Sequence, residues 1–215
     1  NSWVSSKLYS PFVFDDVKDA EDIMNFEKQG FIYTRGNNPT LQLFEKRMSE
    51  LEEGEDAVAF ASGMGAISSV LLSLLSPGDN VLVHKTLYGS SFTVTQKLLP
   101  KYHITCKSVD FTKHETVEKT IDNNTKVLYF ETPSNPNLQI VDIKQIVKLA
   151  KSHSVKVVID NTFATPYFQR PLTLGADVVV HSATKYICGH GDALGGVAVS
   201  KDVDFIRKLK FDYMC

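Results

Sequence analysis

The residues best suited to chemistry in this sequence are a lysine, an acid and a glycine turn, each set directly behind an apolar run. Lys185 follows Val178-Val179-Val180 in the stretch DVVVHSATKYICGHGDALGG, among Ser182, Thr184 and small residues. A lysine partly withdrawn from water tends to lose its proton, and the neutral amine then attacks a carbonyl carbon. Taken alone, a solvated surface lysine is the commoner reading. Asp160 ends the run KVVI, where a buried carboxylate is expensive unless it is paired. A turn cap through Asn161 and Thr162 accounts for an isolated Asp equally well. Ser62-Gly63-Met64-Gly65 opens an apolar helix, whose unbonded N–H groups and dipole attract anions while glycine lets a phosphate approach. Taken alone, it is an ordinary N-cap.

Together the three features match the needs of one cofactor. Pyridoxal 5'-phosphate needs a lysine for its aldehyde, an acid to keep its ring nitrogen protonated, and N–H groups and hydroxyls for its phosphate. Ser182 and Thr184 bring hydroxyls close to Lys185.

Those residues must be positioned by alternating strands and helices. LQLFEKRMSELEE has apolar positions at helical spacing: Leu41, Phe44, Met48 and Leu51. Further helices are predicted over 64–79, 90–102, 115–122 and 142–154, and strands over 56–63, 80–85, 103–110, 126–133, 156–163, 176–185 and 193–200. Strands such as Val157-Val158-Ile159 are apolar on both faces, so helices must cover both sides of a largely parallel sheet. The fold class is α/β. Ligands of such sheets bind beyond the carboxyl ends of the strands, which selects Ser62, Gly63, Met64, Tyr88, Asn135, Asp160, Ser182, Thr184 and Lys185. Residues 1–40 lack a sustained period and read as an N-terminal arm that needs a partner for order; residues 41–215 form the cofactor-binding domain.

Composition narrows the function. The chain has 215 residues, 43% hydrophobic and 22% charged, with a net charge of -2 and a pI near 6.3. That balance offers no basic footprint for nucleic acid or anionic membrane. Cys106, Cys188 and Cys215 are odd in number and far apart, which fits reduced thiols in the cytoplasm. No run approaches the roughly 18 to 20 apolar residues of a membrane span, and the start NSWVSSKLYS is not a signal peptide. The end RKLKFDYMC stops without a cap, as a fragment of a longer chain would. GHGDALGG precedes a strand, not a helix, so it is not a dinucleotide loop. Cys188, His190 and His181 lack the paired spacing of a zinc site, and no metal is expected.

The segments YTRGNNPTLQLFEKRMSELE, ASGMGAI, LYGSS, ETPSNPNL, VIDNTFATPYFQRPL and GADVVVHSATKYICGHGDALGG resemble the pyridoxal-phosphate enzymes of cysteine and methionine metabolism. They span about residues 31–200, in the family's order. The resemblance implies the fold-type I architecture of aspartate aminotransferase. It implies Lys185 as Schiff-base lysine and proton shuttle, Asp160 as partner of the ring nitrogen, and Tyr88 as stacked ring and acid or base. Gly63 and Met64, with Ser62 at the same turn, would bind the phosphate, helped by Ser182 and Thr184; Asn135 would lie near the phenolic oxygen and substrate carboxylate. Tyr33 and Arg35 would reach the neighbouring subunit's phosphate, which implies a homodimer or homotetramer and a reason for the aperiodic arm.

Family members are nearly twice as long, and their smaller C-terminal domain carries the arginine that grips the substrate carboxylate. Arg35, Arg47, Arg170 and Arg207 do not stand in that context. The implied activity is carbon–sulfur lysis of a sulfur amino acid: α,γ-elimination of L-methionine or cystathionine. Many methionine γ-lyases carry a cysteine where this chain has Ser90, so γ-replacement, as in cystathionine γ-synthase or O-acetylhomoserine sulfhydrylase, is the alternative. A non-catalytic fragment retaining only the fold is the alternative of another class.

Overall fold

A computed structural model describes residues 10–25, 27–28 and 30–213, Tyr213 by its backbone alone. Most of the polar start, and Cys215, lie outside the described residues. In chain order the elements are α1 (Val17–Met24), α2 (Pro39–Glu52), β1 (Asp56–Phe60), α3 (Gly63–Leu74), β2 (Asn80–His84), α4 (Gly89–Thr93), β3 (Thr105–Val109), α5 (His114–Thr120), β4 (Thr125–Glu131), α6 (Ile143–Ser152), β5 (Lys156–Asp160), α7 (Thr165–Phe168), β6 (Val178–Ser182), β7 (Gly196–Ser200) and α8 (Val203–Tyr213). The helix starts follow from their capping residues. Asn38 accepts from the Thr40 N–H with Pro39 in the first turn of α2, Ser62 accepts from Gly65 at α3, and Asp142 accepts from Gln145 at α6.

The seven strands form one sheet in the order β1-β7-β6-β5-β4-β2-β3. Six run in one direction; β7 alone is antiparallel, to both β1 and β6. The sheet is largely parallel, as the apolar runs predict, and buried on both faces. The twofold side-chain period divides each strand between two layers. Val127, Tyr129, Val158, Val178 and Val180 pack with Ile67, Val70 and Leu71 of α3 and Ile206 and Leu209 of α8. Leu128, Phe130, Val157 and Ile159 pack on the other side with Ile143, Ile146, Val147 and Ala150 of α6. Val179, Val197 and Val199 pack with Met48 of α2.

Several predicted strands and helices end a few residues short, and three differences bear on the site or the arm. The helix over 90–102 is α4 followed by a π-helical turn, Val94–Leu98, and a 3-10 turn, Leu99–Tyr102. Pro100 has no N–H to donate and crowds the preceding turn, so a regular α-helix cannot run through it. The strand over 176–185 stops at Ser182, whose partner Gly196 is where β7 begins. Within the arm the sequence showed no helix, yet α1 forms there, capped by the Asp16 carboxylate. Pro11 and Tyr33 make an isolated antiparallel bridge, and the Phe12 and Phe31 rings lie 5.4 Å apart. Among the described residues no helix is long and apolar enough to cross a membrane.

Candidate functional site

The same twofold period that buries the valines selects what stands at the rim. Glu131, Asp160 and Ser182 are each two residues beyond a side chain of the α3 layer, namely Tyr129, Val158 and Val180. All three therefore emerge on the α3 face at the carboxyl end of the sheet. Glu131 and Asp160 are paired in register. The first turn of α3 comes to the same place: a Cβ on Gly63 would stand 2.6 Å from the Ser182 Cβ, and one on Gly196 would stand 2.1 Å from the Ser62 carbonyl oxygen. Only glycine permits that approach. The Ser62 hydroxyl oxygen accepts from Gly65 at 3.0 Å, leaving the Gly63 and Met64 N–H groups in a turn that supplies no helical acceptor.

Asp160 is 9% exposed, and its Oδ1 accepts the Thr162 N–H at 2.9 Å. Burial raises its carboxyl above the ordinary aspartate range; the bonds from Thr162, and more weakly His181, act in the opposite direction. The Thr162 hydroxyl also accepts the Ser182 N–H at 2.9 Å, tying the ends of β5 and β6 together. Lys185 follows in a turn, its N–H donating to the Ser182 carbonyl at 3.1 Å. Its residue is exposed, so the described chain alone does not give it the partial withdrawal from water expected of it. The Thr184 hydroxyl donates to the Gly195 carbonyl at 3.1 Å and accepts the Gly195 N–H at 3.0 Å. Its one proton is thus committed to joining β6 and β7. The Ser182 hydroxyl makes no hydrogen bond among the described residues.

Tyr88 stands at the start of α4 and is 44% exposed. Asn135 lies in the loop after β4, half-buried. The residue that joins them, Glu131, is not among those selected from the sequence. Glu131, 4% exposed, accepts the Tyr88 N–H through Oε1 at 2.8 Å and the Asn135 N–H through Oε2 at 3.3 Å. Burial, with the charge of Asp160 beside it, pushes its carboxyl up to about 7 against the two N–H donors. Glu131 ends the apolar run KVLYF as Asp160 ends KVVI, so the same signal was present in the sequence. Tyr33 and Arg35 remain in the arm, the Arg35 guanidinium 5.3 Å from the centre of the Tyr33 ring.

On the opposite face His181 and Glu52 are buried partners, Nε2 to Oε1 at 2.6 Å, and Asn161 donates to the same oxygen at 2.8 Å. Cys188 Sγ instead lies 3.3 Å from Asp192, and His190 Nδ1 lies 3.0 Å from the Cys188 carbonyl. Among the described residues no three His, Cys, Asp or Glu side chains converge as a metal site would require.

Among the described residues the α3 turn offers two N–H groups with no acceptor, Ser182 a hydroxyl with no hydrogen bond and Asp160 a buried acid with no ion-pair partner, which suits a group carrying both a phosphate and a protonated ring nitrogen. Pyridoxal 5'-phosphate has both. The chain is 48% identical over 195 residues to an L-methionine gamma-lyase of Pseudomonas deceptionensis, covering 90% of this chain and 49% of that protein. It is 46% identical over 182 residues to a cystathionine gamma-lyase of Bacillus subtilis (strain 168), covering 85% of this chain and 48% of that one. The crystal structure of cystathionine gamma synthase from Xanthomonas oryzae pv. oryzae, in complex with cystathionine, superposes with a TM-score of 0.88 at 38% identity, covering 95% of this chain and 51% of that one. The chain thus spans about half the length of these relatives, and its fold is that of fold-type I pyridoxal-phosphate enzymes. The profile of the Cys/Met metabolism PLP-dependent enzymes matches residues 4–214, and the chain belongs to that family.

Proposed function

We propose that the chain is the cofactor-binding part of a carbon–sulfur lyase that performs α,γ-elimination on L-methionine or cystathionine, giving a thiol, 2-oxobutanoate and ammonia. The observation that supports this reading is the packing of the α3 first turn on Ser182 beside buried Asp160, in a chain 48% identical to a methionine gamma-lyase. Bound there, pyridoxal 5'-phosphate supplies a carbonyl for the substrate amine and a ring that stores the electron pair left at Cα.

The roles of the chain's own residues follow. The Gly63 and Met64 N–H groups and the Ser182 hydroxyl hold the phosphate, Ser62 fixes their turn, and Thr184 fixes the loop that carries Lys185. Lys185 Nζ would hold the cofactor's aldehyde carbon, and its amine, when free, is the base that would take the substrate's Cα proton. Asp160 keeps a proton on the ring nitrogen. Lys185 would also take the proton lost at Cβ and Tyr88 would give one to the departing sulfur; hydrolysis of the released enamine by water would give the 2-oxo acid and ammonia. Asn135 orients the phenolic oxygen and the substrate carboxylate. Tyr33 and Arg35 serve the site of a second copy of the chain, which completes the phosphate pocket and covers Lys185.

The full-length protein, incubated separately with methionine, with cystathionine, and with O-acetylhomoserine plus sulfide, should release 2-oxobutanoate from one of the first two. Product from the third mixture alone would replace the lyase reading with γ-replacement, which the likeness to cystathionine gamma synthase favours. Lys185→Ala should abolish both turnover and the visible, borohydride-sensitive absorption of the loaded protein.

A further inference from the structure

Glu131 has no part in the roles above, and a purely structural explanation does not account for it. A buried carboxylate is expensive, and no ion pair among the described residues offsets this one. A neutral acceptor would serve a loop at less desolvation. What a carboxylate adds is two equivalent oxygens, both acceptors, and hydrogen bonds strengthened by charge. Both oxygens are used, one on the N–H of Tyr88 and one on the N–H of Asn135.

We propose that Glu131 is a positioning residue whose carboxylate, anchored at the end of β4 beside Asp160, fastens the backbones of Tyr88 and Asn135 and so sets both side chains at the cofactor site. The inference rests on the proposed function, which places Tyr88 and Asn135 there. Tyr88 begins α4, where its N–H has no helical acceptor, and its side chain makes no capping hydrogen bond. The Glu131 bond is therefore its tie to the sheet. Asn135 follows the strand by a short loop, and the other Glu131 oxygen holds it against the same strand end. The two bonds couple loops that leave different strands, β2 and β4, so the ring and the amide move as one unit. Glutamine at 131 keeps the shape but presents an NH2 to one of the two N–H donors.

The test uses the full-length protein loaded with pyridoxal 5'-phosphate, in wild type, Glu131→Gln, Tyr88→Phe and the double variant. Hydrogen exchange should rise about tenfold to a hundredfold at the Tyr88 and Asn135 amides in Glu131→Gln, the amides of 126–130 staying as protected as in wild type. kcat should fall about tenfold or more while KM changes little, and Glu131→Gln should cost far less on the Tyr88→Phe background. Unchanged exchange at both amides, an equal loss of protection across 126–130, or additive effects on kcat would each overturn the proposal. Glu131→Asp, which keeps the charge but shortens the reach, is read by the same exchange comparison where Glu131→Gln fails to fold. A wild type that takes up no pyridoxal 5'-phosphate sinks the functional reading instead, and is recognised by absorbance before any variant is made.

Discussion

Two buried acidic sites lie near the same rim of the sheet, on opposite faces, and they are finished differently. On the α2 face, Glu52 is met by His181 at 2.6 Å and by Asn161 at 2.8 Å, and Gln169 joins Asn161 to the Thr132 carbonyl. On the α3 face, Glu131 and Asp160 stand side by side in register, and among the described residues neither has an ion-pair partner. In the first site the protein supplies partners for Glu52 Oε1, while Glu52 Oε2 and His181 Nδ1 stay buried with no hydrogen bond among the described residues. The second holds two carboxyl groups raised by burial, which a cation such as a protonated pyridine nitrogen would relieve. What separates the two faces is thus the ion-pair partner that His181 gives Glu52 and that Glu131 and Asp160 lack among the described residues.

The contrast predicts that changes on the α2 face affect stability and changes on the α3 face affect chemistry. The largest effect is expected from Glu52→Ala, which leaves His181 and Asn161 buried without their acceptor and should destabilise the fold by about 3–5 kcal/mol. Chemical denaturation measures it; a midpoint unchanged from wild type breaks the contrast. Asp160→Asn should leave the fold intact and lower turnover roughly 10- to 1000-fold, because the charge that keeps the ring nitrogen protonated is worth about 1–3 pKa units. Activity of the loaded enzyme, read beside a thermal melt, separates the two.

The smallest effect concerns pH. Glu131 is raised from 4.5 to about 7 in the folded chain, so between those values the folded state binds more protons than the unfolded one. Its contribution is present in full below pH 4.5 and is lost as pH rises through about 7. The melting temperature of the cofactor-free wild type should consequently fall with pH across this window relative to Glu131→Gln, by the equivalent of on the order of 1–3 kcal/mol. The difference between the two proteins is the measurement, because His84, whose ring burial lowers, contributes with the opposite sign near neutrality. Parallel melting curves would mean that Glu131 titrates alike folded and unfolded.

Much of the site was legible because its signals are local. Asp160, Lys185 and the Ser62-Gly63-Met64 turn each follow an apolar run, and the rule that ligands gather at strand ends selects them. Glu131 satisfies the same rule, but Thr132 and Pro133 behind it read simply as the end of a strand. Its meaning comes from the Tyr88 N–H, 43 residues away in sequence. Thr184 shows the reverse situation. Proximity to Lys185 suggested a phosphate ligand, but its hydroxyl turns to Gly195, a choice made by where β7 begins.

By itself the sequence determined the alternation of strands and helices, the two-faced burial of the sheet, and which lysine and which aspartate stand at a strand end. Periodicity and turn chemistry act over a few residues, so they survive without a fold. Only the tertiary structure decided that Glu131, Asp160 and Ser182 emerge on one face against the first turn of α3 while His181 turns to Glu52 on the other. Strand register and helix placement decide those meetings, and both depend on packing between segments far apart in the chain.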